Sequence, residues 1–364
     1  MNSTYAEINL SNLRYNIGQI RKMLKAGTKF MAVVKADAYG HGAVKVSKAA
    51  IDAGIDYLSV ANIKEALELK GAGINFPVLI LSEVSKEDSA DVVRNNFAQT
   101  VYTYELAEAL SKEAQKQNRK VKVHFKIDTG MGRVGATKGA DELAKRISKL
   151  KGIVLEGIFT HLARAEEPDG FTKEQIDKFL NIVSKADVDV PLKHAANSAG
   201  TLYHEYAHLD MVRVGLSMYG LYPPGGKKDI VDLRPVLQFK TKVAYLKRVP
   251  KGTPISYGST YVTDKETNIV TLPVGYADGL SRALSNKGHV LIKGRKFPIA
   301  GRVCMDLTLI DVGNENFATG EEVVLIGRQR EKEIPVDEVA KLQKTINYEV
   351  VCGIGKRVPR IYVG

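Results

Sequence analysis

Short apolar runs of four to seven residues recur through the first two thirds of the chain, at 30–35, 57–61, 78–81, 99–102, 121–127, 153–159, 191–195 and 211–214. Between them, stretches such as 43–53, 63–70, 104–117 and 173–184 carry apolar residues at helical spacing. Strand and helix in alternation predict a parallel sheet, and eight units closing on themselves make an α/β fold of the TIM-like (β/α)8 type. An open doubly wound sheet is the alternative. After Pro223-Pro224-Gly225-Gly226 the texture changes. Alternating runs at 238–249, 269–274, 290–292, 297–303, 307–312 and 323–326, punctuated by Gly, Asp and Asn, predict a mostly antiparallel β domain with one helix over 336–343. Thr4–Asn9 also alternates. The expected organisation is a strand in 1–9 that joins the C-terminal domain, a barrel over 10–226 and a β domain over 227–364.

Composition narrows the setting. Apolar residues make up 44% and charged residues 26%, as in ordinary globular proteins. No apolar run approaches the roughly 18 residues of a membrane span. The first residues lack a basic segment followed by an apolar one, so a cytoplasmic protein is expected. Two cysteines, Cys304 and Cys352, fit reduced thiols better than a disulfide framework. The net charge of +12 comes mostly from single lysines spread along the chain. That pattern suits a solvated basic surface or an anionic small molecule; neither a nucleic acid nor a membrane is expected as partner.

In a barrel the chemistry lies at the C-terminal ends of the strands. Lys35 ends the first run, Asp128–Arg133 follows the fifth, Thr160-His161 the sixth and Asn197-Ser198 the seventh; Arg213 and Gly215 lie at the end of the eighth. Any one of these could be an ordinary polar strand end. Five on one rim point to a site. Ser198 with backbone N–H groups near Gly215 suits a phosphate, and a partly desolvated lysine opposite suits a Schiff base. Together they suggest pyridoxal phosphate.

Two other patterns compete. Gly130-x-Gly132-x-x-Gly135 fits a dinucleotide fingerprint, with Glu156 ending the next strand as a ribose-binding acid. Four strand–helix units precede it, so glycines letting a loop cross the barrel mouth are the better reading. His204-Glu205-x-x-His208 fits a zinc-protease helix but lacks a third ligand nearby. Two ordinary surface histidines are expected there, and no metal. Cys304 reads as a small, buried apolar residue.

The segment Val33-Val34-Lys35-Ala36-Asp37-Ala38-Tyr39-Gly40-His41-Gly42 resembles the cofactor-lysine motif of the alanine racemases, pyridoxal-phosphate enzymes of fold type III. Lys126–Arg133, Thr160-His161, Ala195–Ser198, Met211–Gly215, Ser256–Gly258, Gly275–Gly279 and Gly301–Asp306 resemble further motifs of that family, in its order, from about Tyr5 to Arg360. The resemblance implies interconversion of L- and D-alanine, with D-alanine supplied to the cell wall, by a two-base mechanism. Lys35 matches the lysine that holds the cofactor as an aldimine and serves one face of the substrate. Tyr257 matches the proton carrier of the other face, which in the family comes from the partner of a homodimer. His161 and Arg213 match residues that give this tyrosine a cationic neighbourhood. Arg213 also matches the arginine facing the pyridine nitrogen, and being always protonated it cannot give that nitrogen a proton.

Arg133 matches a residue reaching the cofactor oxygen and the substrate carboxylate. Lys126 matches a lysine carbamylated in similar enzymes. Tyr39, Ser198, Gly215 and Leu216 match phosphate contacts, and Asn197 counts with the cofactor-binding residues. Tyr276, and Met305 through its backbone N–H, match substrate-pocket residues of the second subunit. One departure is Lys356, where some relatives have tyrosine. Alanine is the family's default substrate, and serine stays open. An amino-acid decarboxylase of similar architecture and a non-enzymatic cofactor-binding barrel are the rival classes. Tyr257 and Met305 in their contexts argue against the first, and the C-terminal domain against the second.

Overall fold

Residues 3–82, 84–227 and 229–364 are described by the computed structural model. They divide into two units. One comprises Leu13–Ala38 and Ala43–Arg234; the other comprises 3–12, Tyr39–Gly42 and Pro235–Gly364.

The first strand, β1 (Tyr5–Asn9), belongs to the second unit. The first unit is built on β2 (Lys29–Val33), β3 (Tyr57–Val60), β4 (Val78–Ile80), β5 (Ala98–Val101), β6 (Val121–Lys126), β7 (Ile153–Phe159), β8 (Leu192–His194) and β9 (Met211–Val214). All eight coincide with the apolar runs. They pair in parallel and in order, and β9 closes back on β2, so the barrel and not the open sheet is the fold. Helices Ala43–Asp52, Ile63–Gly71, Tyr104–Lys116 and Phe171–Ala186 lie between strands and bury one apolar face each. Covering helices explain why the strands read as continuous apolar runs rather than as alternation. Near the strands' N-terminal ends, Met31, Tyr57, Leu79, Ala98, Leu192 and Met211 form one apolar cluster. The barrel is thus packed, and polar interior groups stand out against it.

In the second unit the strands are β10 (Leu237–Lys242), β11 (Tyr245–Val249), β12 (Pro254–Ile255), β13 (Tyr261–Val262), β14 (Thr267–Leu272), β15 (His289–Ile292), β16 (Arg295–Pro298), β17 (Thr308–Gly313), β18 (Glu322–Gln329), β19 (Lys332–Ile334) and β20 (Arg360–Val363). A seven-stranded sheet has the order β16-β15-β18-β10-β1-β20, with β19 on β18, and a three-stranded sheet the order β11-β14-β17. β1 runs antiparallel to β10 and parallel to β20. The helix Val336–Gln343 forms as its pattern predicts. Two runs differ. The stretch 238–249 breaks at Val243-Ala244 into β10 and β11, which join different sheets, and the run from Phe297 leaves the strand after Pro298. Alternation marks burial of a face, not the sheet a face belongs to.

Candidate active site

At the C-terminal end of β9 the Arg213 side chain is buried, and both of its terminal nitrogens are hydrogen-bonded. Its Nη1 donates to His194 Nδ1 (2.8 Å), and its Nη2 donates to Thr160 O (2.8 Å), Ala195 O (2.9 Å) and His161 Nδ1 (3.2 Å). The guanidinium lies 5.1 Å from the Phe159 ring centre. Burial, then the charge of Arg133, lowers its pKa to about 9, still cationic at neutral pH. Burial and the neighbouring Arg213, Arg133, Lys126 and Lys35 push His161 well below its ordinary value. The positive field at this rim therefore comes from the arginines and lysines, while His161 is neutral.

Lys35 follows β2 and is half-buried. Beyond it the backbone turns left-handed: Ala36, Asp37, Ala38 and Tyr39 have φ of 53°, 51°, 53° and 54°. Each such residue costs roughly 1–2 kcal/mol, and runs of four are unusual. Hydrogen bonds hold the turn. Glu65 accepts from Ala36 N (2.9 Å) and Ala61 N (2.7 Å), and Asp37 accepts from Ala43 N (2.7 Å). Strain concentrated behind a reactive side chain is common at functional sites. The end of the turn belongs to the other unit. There Tyr39 is buried near Tyr348, and Gly40 lets the chain pass where a Cβ would sit 2.4 Å from Val351 O.

Lys126 closes β6 and is buried. Desolvation first, then Arg133 and Arg213, lowers its pKa to about 8, so about a tenth is neutral amine at pH 7. The following loop is folded by Asp128, whose carboxylate accepts from Gly130 N, Met131 N and Arg133 N at 2.9–3.1 Å. Burial raises this carboxyl, but those backbone donors outweigh it and the net shift is downward. Gly135 has φ +135°, and a Cβ there would lie 2.7 Å from Asp128 N. The glycines of the fingerprint-like segment thus serve loop folding. Arg133 projects from this loop and is exposed.

Ser198 Oγ accepts from Gly215 N (3.2 Å) and Ser217 N (3.3 Å), joining the loops after β8 and β9. Asn197 Oδ1 accepts from Gly200 N (2.9 Å). Ser217 Oγ in the same turn as Leu216 is buried without a hydrogen-bond partner. Hydroxyls and backbone N–H groups gathered with a buried arginine and two lysines on one rim fit a phosphorylated cofactor that takes a lysine. The two zinc-motif histidines go elsewhere. Only a 3-10 turn, Glu205–Ala207, separates them, and their Nε2 atoms meet the Ala165 and Thr201 carbonyls.

The second unit gathers a different set. Tyr257 is 71% exposed, Met305 53% and Tyr276 43%. Ser256 Oγ donates to Arg302 O (2.6 Å), and Tyr276 N and Ala277 N donate to Cys304 O and Met305 O. A Cβ on Gly275 would sit 2.2 Å from Met305 O, so only glycine allows these turns to touch. Arg357 ties them further, donating to Asp278 and Asp306 at 2.7 Å. Lys356 beside it is exposed. Cys304 is half-buried, near Ser256 Oγ at 3.6 Å.

The N-terminal domain model of the alanine racemases matches residues 8–223, and their C-terminal domain model residues 236–362. The chain belongs to the alanine racemase family. It is 47% identical to the alanine racemase of Halothermothrix orenii, covering 99% of this chain and 96% of that protein. Alanine racemase from Clostridium difficile 630 superposes with a TM-score of 0.95 at 39% identity, over 100% of this chain and 96% of that one. The Bartonella henselae alanine racemase, solved with covalently bound pyridoxal phosphate, superposes with a TM-score of 0.90 at 28% identity over the whole of both chains.

Of the residues expected from the family's motifs, Lys35, Lys126, Arg133, His161, Asn197, Ser198, Arg213, Gly215 and Leu216 lie in the barrel unit. Tyr39, Tyr257, Tyr276 and Met305 lie in the β unit. Reading the sequence misses Glu65 behind the left-handed turn, Arg357 between two aspartates, and the polar groups below Arg213. Glu156 does not end a strand, as the dinucleotide pattern had it, but lies within β7.

Proposed function

We propose that the protein interconverts L- and D-alanine as a cytoplasmic homodimer, with pyridoxal 5'-phosphate at the barrel mouth. Arg213, buried at the strand ends and bonded to four acceptors, is the observation that carries this reading. When bound, the cofactor supplies an electron-withdrawing ring that acidifies the Cα–H of an attached amino acid. Lys35 would hold the cofactor covalently, and Ser198 with the backbone at Gly215 and Leu216, joined by Tyr39 and Asn197, would hold its phosphate. Arg213 keeps its proton and so cannot protonate a ring nitrogen, which favours return of a proton to Cα over side reactions.

Lys35 Nζ moves the proton on one face and Tyr257 Oη on the other. The exposure of Tyr257, Tyr276 and Met305 on one unit suits a surface that a second copy covers, bringing its tyrosine to this barrel. Arg133 suits the substrate carboxylate. The neutral fraction of Lys126 can add its nitrogen to carbon dioxide with release of one N–H proton to solvent, and the resulting carbamate would orient Arg133. Supply of D-alanine to the cell wall follows from this activity. Chiral chromatography of L-alanine incubated with the protein and pyridoxal phosphate should approach equal enantiomers, with L-serine slower. An unchanged L-alanine peak from protein that retains a borohydride-reducible cofactor would move the reaction to another amino acid.

A further inference from the structure

Behind Arg213 a single file of polar side chains runs down the barrel interior. His194 Nε2 meets His124 Nδ1 at 2.9 Å, and His124 Nε2 meets Glu156 Oε2 at 3.2 Å. Glu156 also accepts from Tyr57 Oη at 2.5 Å and pairs with Lys122 Nζ at 2.6 Å. Tyr57 and Lys122 line an open cavity of about 290 Å³ at the opposite end of the barrel from the rim.

Only one arrangement of protons satisfies this file. An arginine has donors and no acceptor, so His194 Nδ1 must be bare and its proton must sit on Nε2. His124 Nδ1 must then accept, which puts its proton on Nε2, aimed at Glu156. Both imidazoles are therefore neutral and of the same tautomer. The file needs an acceptor at its far end, and Glu156 is that acceptor. Burial raises its carboxyl, but His124, Lys122 and Tyr57 outweigh this and lower its pKa to about 2.

The backbone is shaped for this contact. The β6–β7 register slips between Leu155↔Val123 and Gly157↔His124, leaving Glu156 as the extra residue of a β-bulge. Bulges re-aim a side chain. Gly157 completes the fit, since a Cβ there would lie 2.3 Å from His124 Nδ1. Phe159 stacks on His194 at 4.7 Å and 6°, fixing the plane of the ring.

We propose that Glu156 is a positioning residue for the reaction: it supplies the acceptor that the tautomers set by Arg213 require, and through His124 and His194 it holds the Arg213 side chain in place at the site. The catalytic consequence rests on the placement of the cofactor beside Arg213; the tautomer pattern does not.

Histidine-selective nitrogen NMR of the holoenzyme near neutral pH reads the tautomers directly. His194 and His124 should both carry the proton on Nε2. In Glu156→Leu the His124 Nε2–H loses its acceptor, so the nitrogen signals of both histidines should shift and broaden, the visible band of the bound cofactor should shift, and kcat should fall about tenfold with KM little changed, the size of one lost charge-assisted hydrogen bond. Glu156→Gln keeps an acceptor oxygen and should restore the histidine signals and most of kcat. Gly157→Ala leaves the carboxylate in place and should disturb the same two histidines. A proton on His194 Nδ1 in the wild type would overturn the proposal. So would a Glu156→Leu enzyme that loses thermal stability while the histidine signals, band and kcat stay put. If the histidine signals respond while no amino acid is racemised, the file stands and the racemase reading fails.

Discussion

Glu156 shows how one residue can matter at two levels. It stays ionised down to about pH 2 in the folded chain, against roughly 4.3 when unfolded. Its stabilisation, roughly 3 kcal/mol by that difference, is full above pH 4.3 and is lost as pH falls toward 2. The thermal midpoint gap between wild type and Glu156→Gln should therefore narrow from about pH 6 to about pH 3. A gap that stays constant would mean the carboxylate is not held charged. Tyr257 belongs to the same scale. Its phenyl ring is already exposed, so Tyr257→Phe removes a hydroxyl without opening a cavity. If Tyr257 carries the proton of the second face, as proposed, the change should cost roughly a hundredfold or more in kcat, in both directions, with the fold intact. Racemisation near the wild-type rate in either direction would return that face to some other group.

Among the elements, the turn after Lys35 reverses a familiar rule. Alanine to glycine in a right-handed helix costs about 1 kcal/mol. At Ala36, exposed and left-handed, glycine relieves the Cβ clash. Ala36→Gly should leave the melting temperature unchanged or raise it, by up to about 1 kcal/mol in stability. A loss of that size would show that the turn is not strained. Nothing in Lys35-Ala36-Asp37-Ala38-Tyr39 announces this conformation, because none of these residues marks a positive φ. The barrel strands were legible because helices bury their outer faces and leave unbroken apolar runs. Glu156 was misread for a related reason: a bulge alters which way a side chain faces, and a two-residue period has no symbol for it. Arg357 escaped because its partners lie 79 and 51 residues away.

For the whole molecule, the division of the expected site residues between two units has a consequence that mixing can test. A Lys35→Ala enzyme and a Tyr257→Phe enzyme should each be inactive or nearly so. If each site takes its lysine from one copy and its tyrosine from the other, unfolding and refolding them together makes half the dimers mixed, each with one intact site. About a quarter of wild-type activity should return. Two sites each built within one chain would return none. Among the described residues no helix is long and apolar enough to cross a membrane. The two-unit organisation was visible as a change of texture after the Pro-Gly turn. The assignment of Tyr39–Gly42 to the later unit was not, because it depends on contacts with residues more than 300 positions away, such as Tyr362 against Gly42.

The strand β1 lies between β10 and β20, one partner about 230 residues downstream and the other near the end of the chain. At 5–20 residues per second a ribosome makes β10 roughly 10–45 s after β1 has emerged. Through that interval β1 is an open edge waiting for both neighbours, and the charge of Glu7 on it discourages a stranger from pairing first. A segment made before the whole barrel is thus among the last to settle, and the sheet closes only after β20 has been made. A shortened chain lacking β1 would leave β10 and β20 with facing edges bare, exposing to aggregation a domain whose remaining strands are all present.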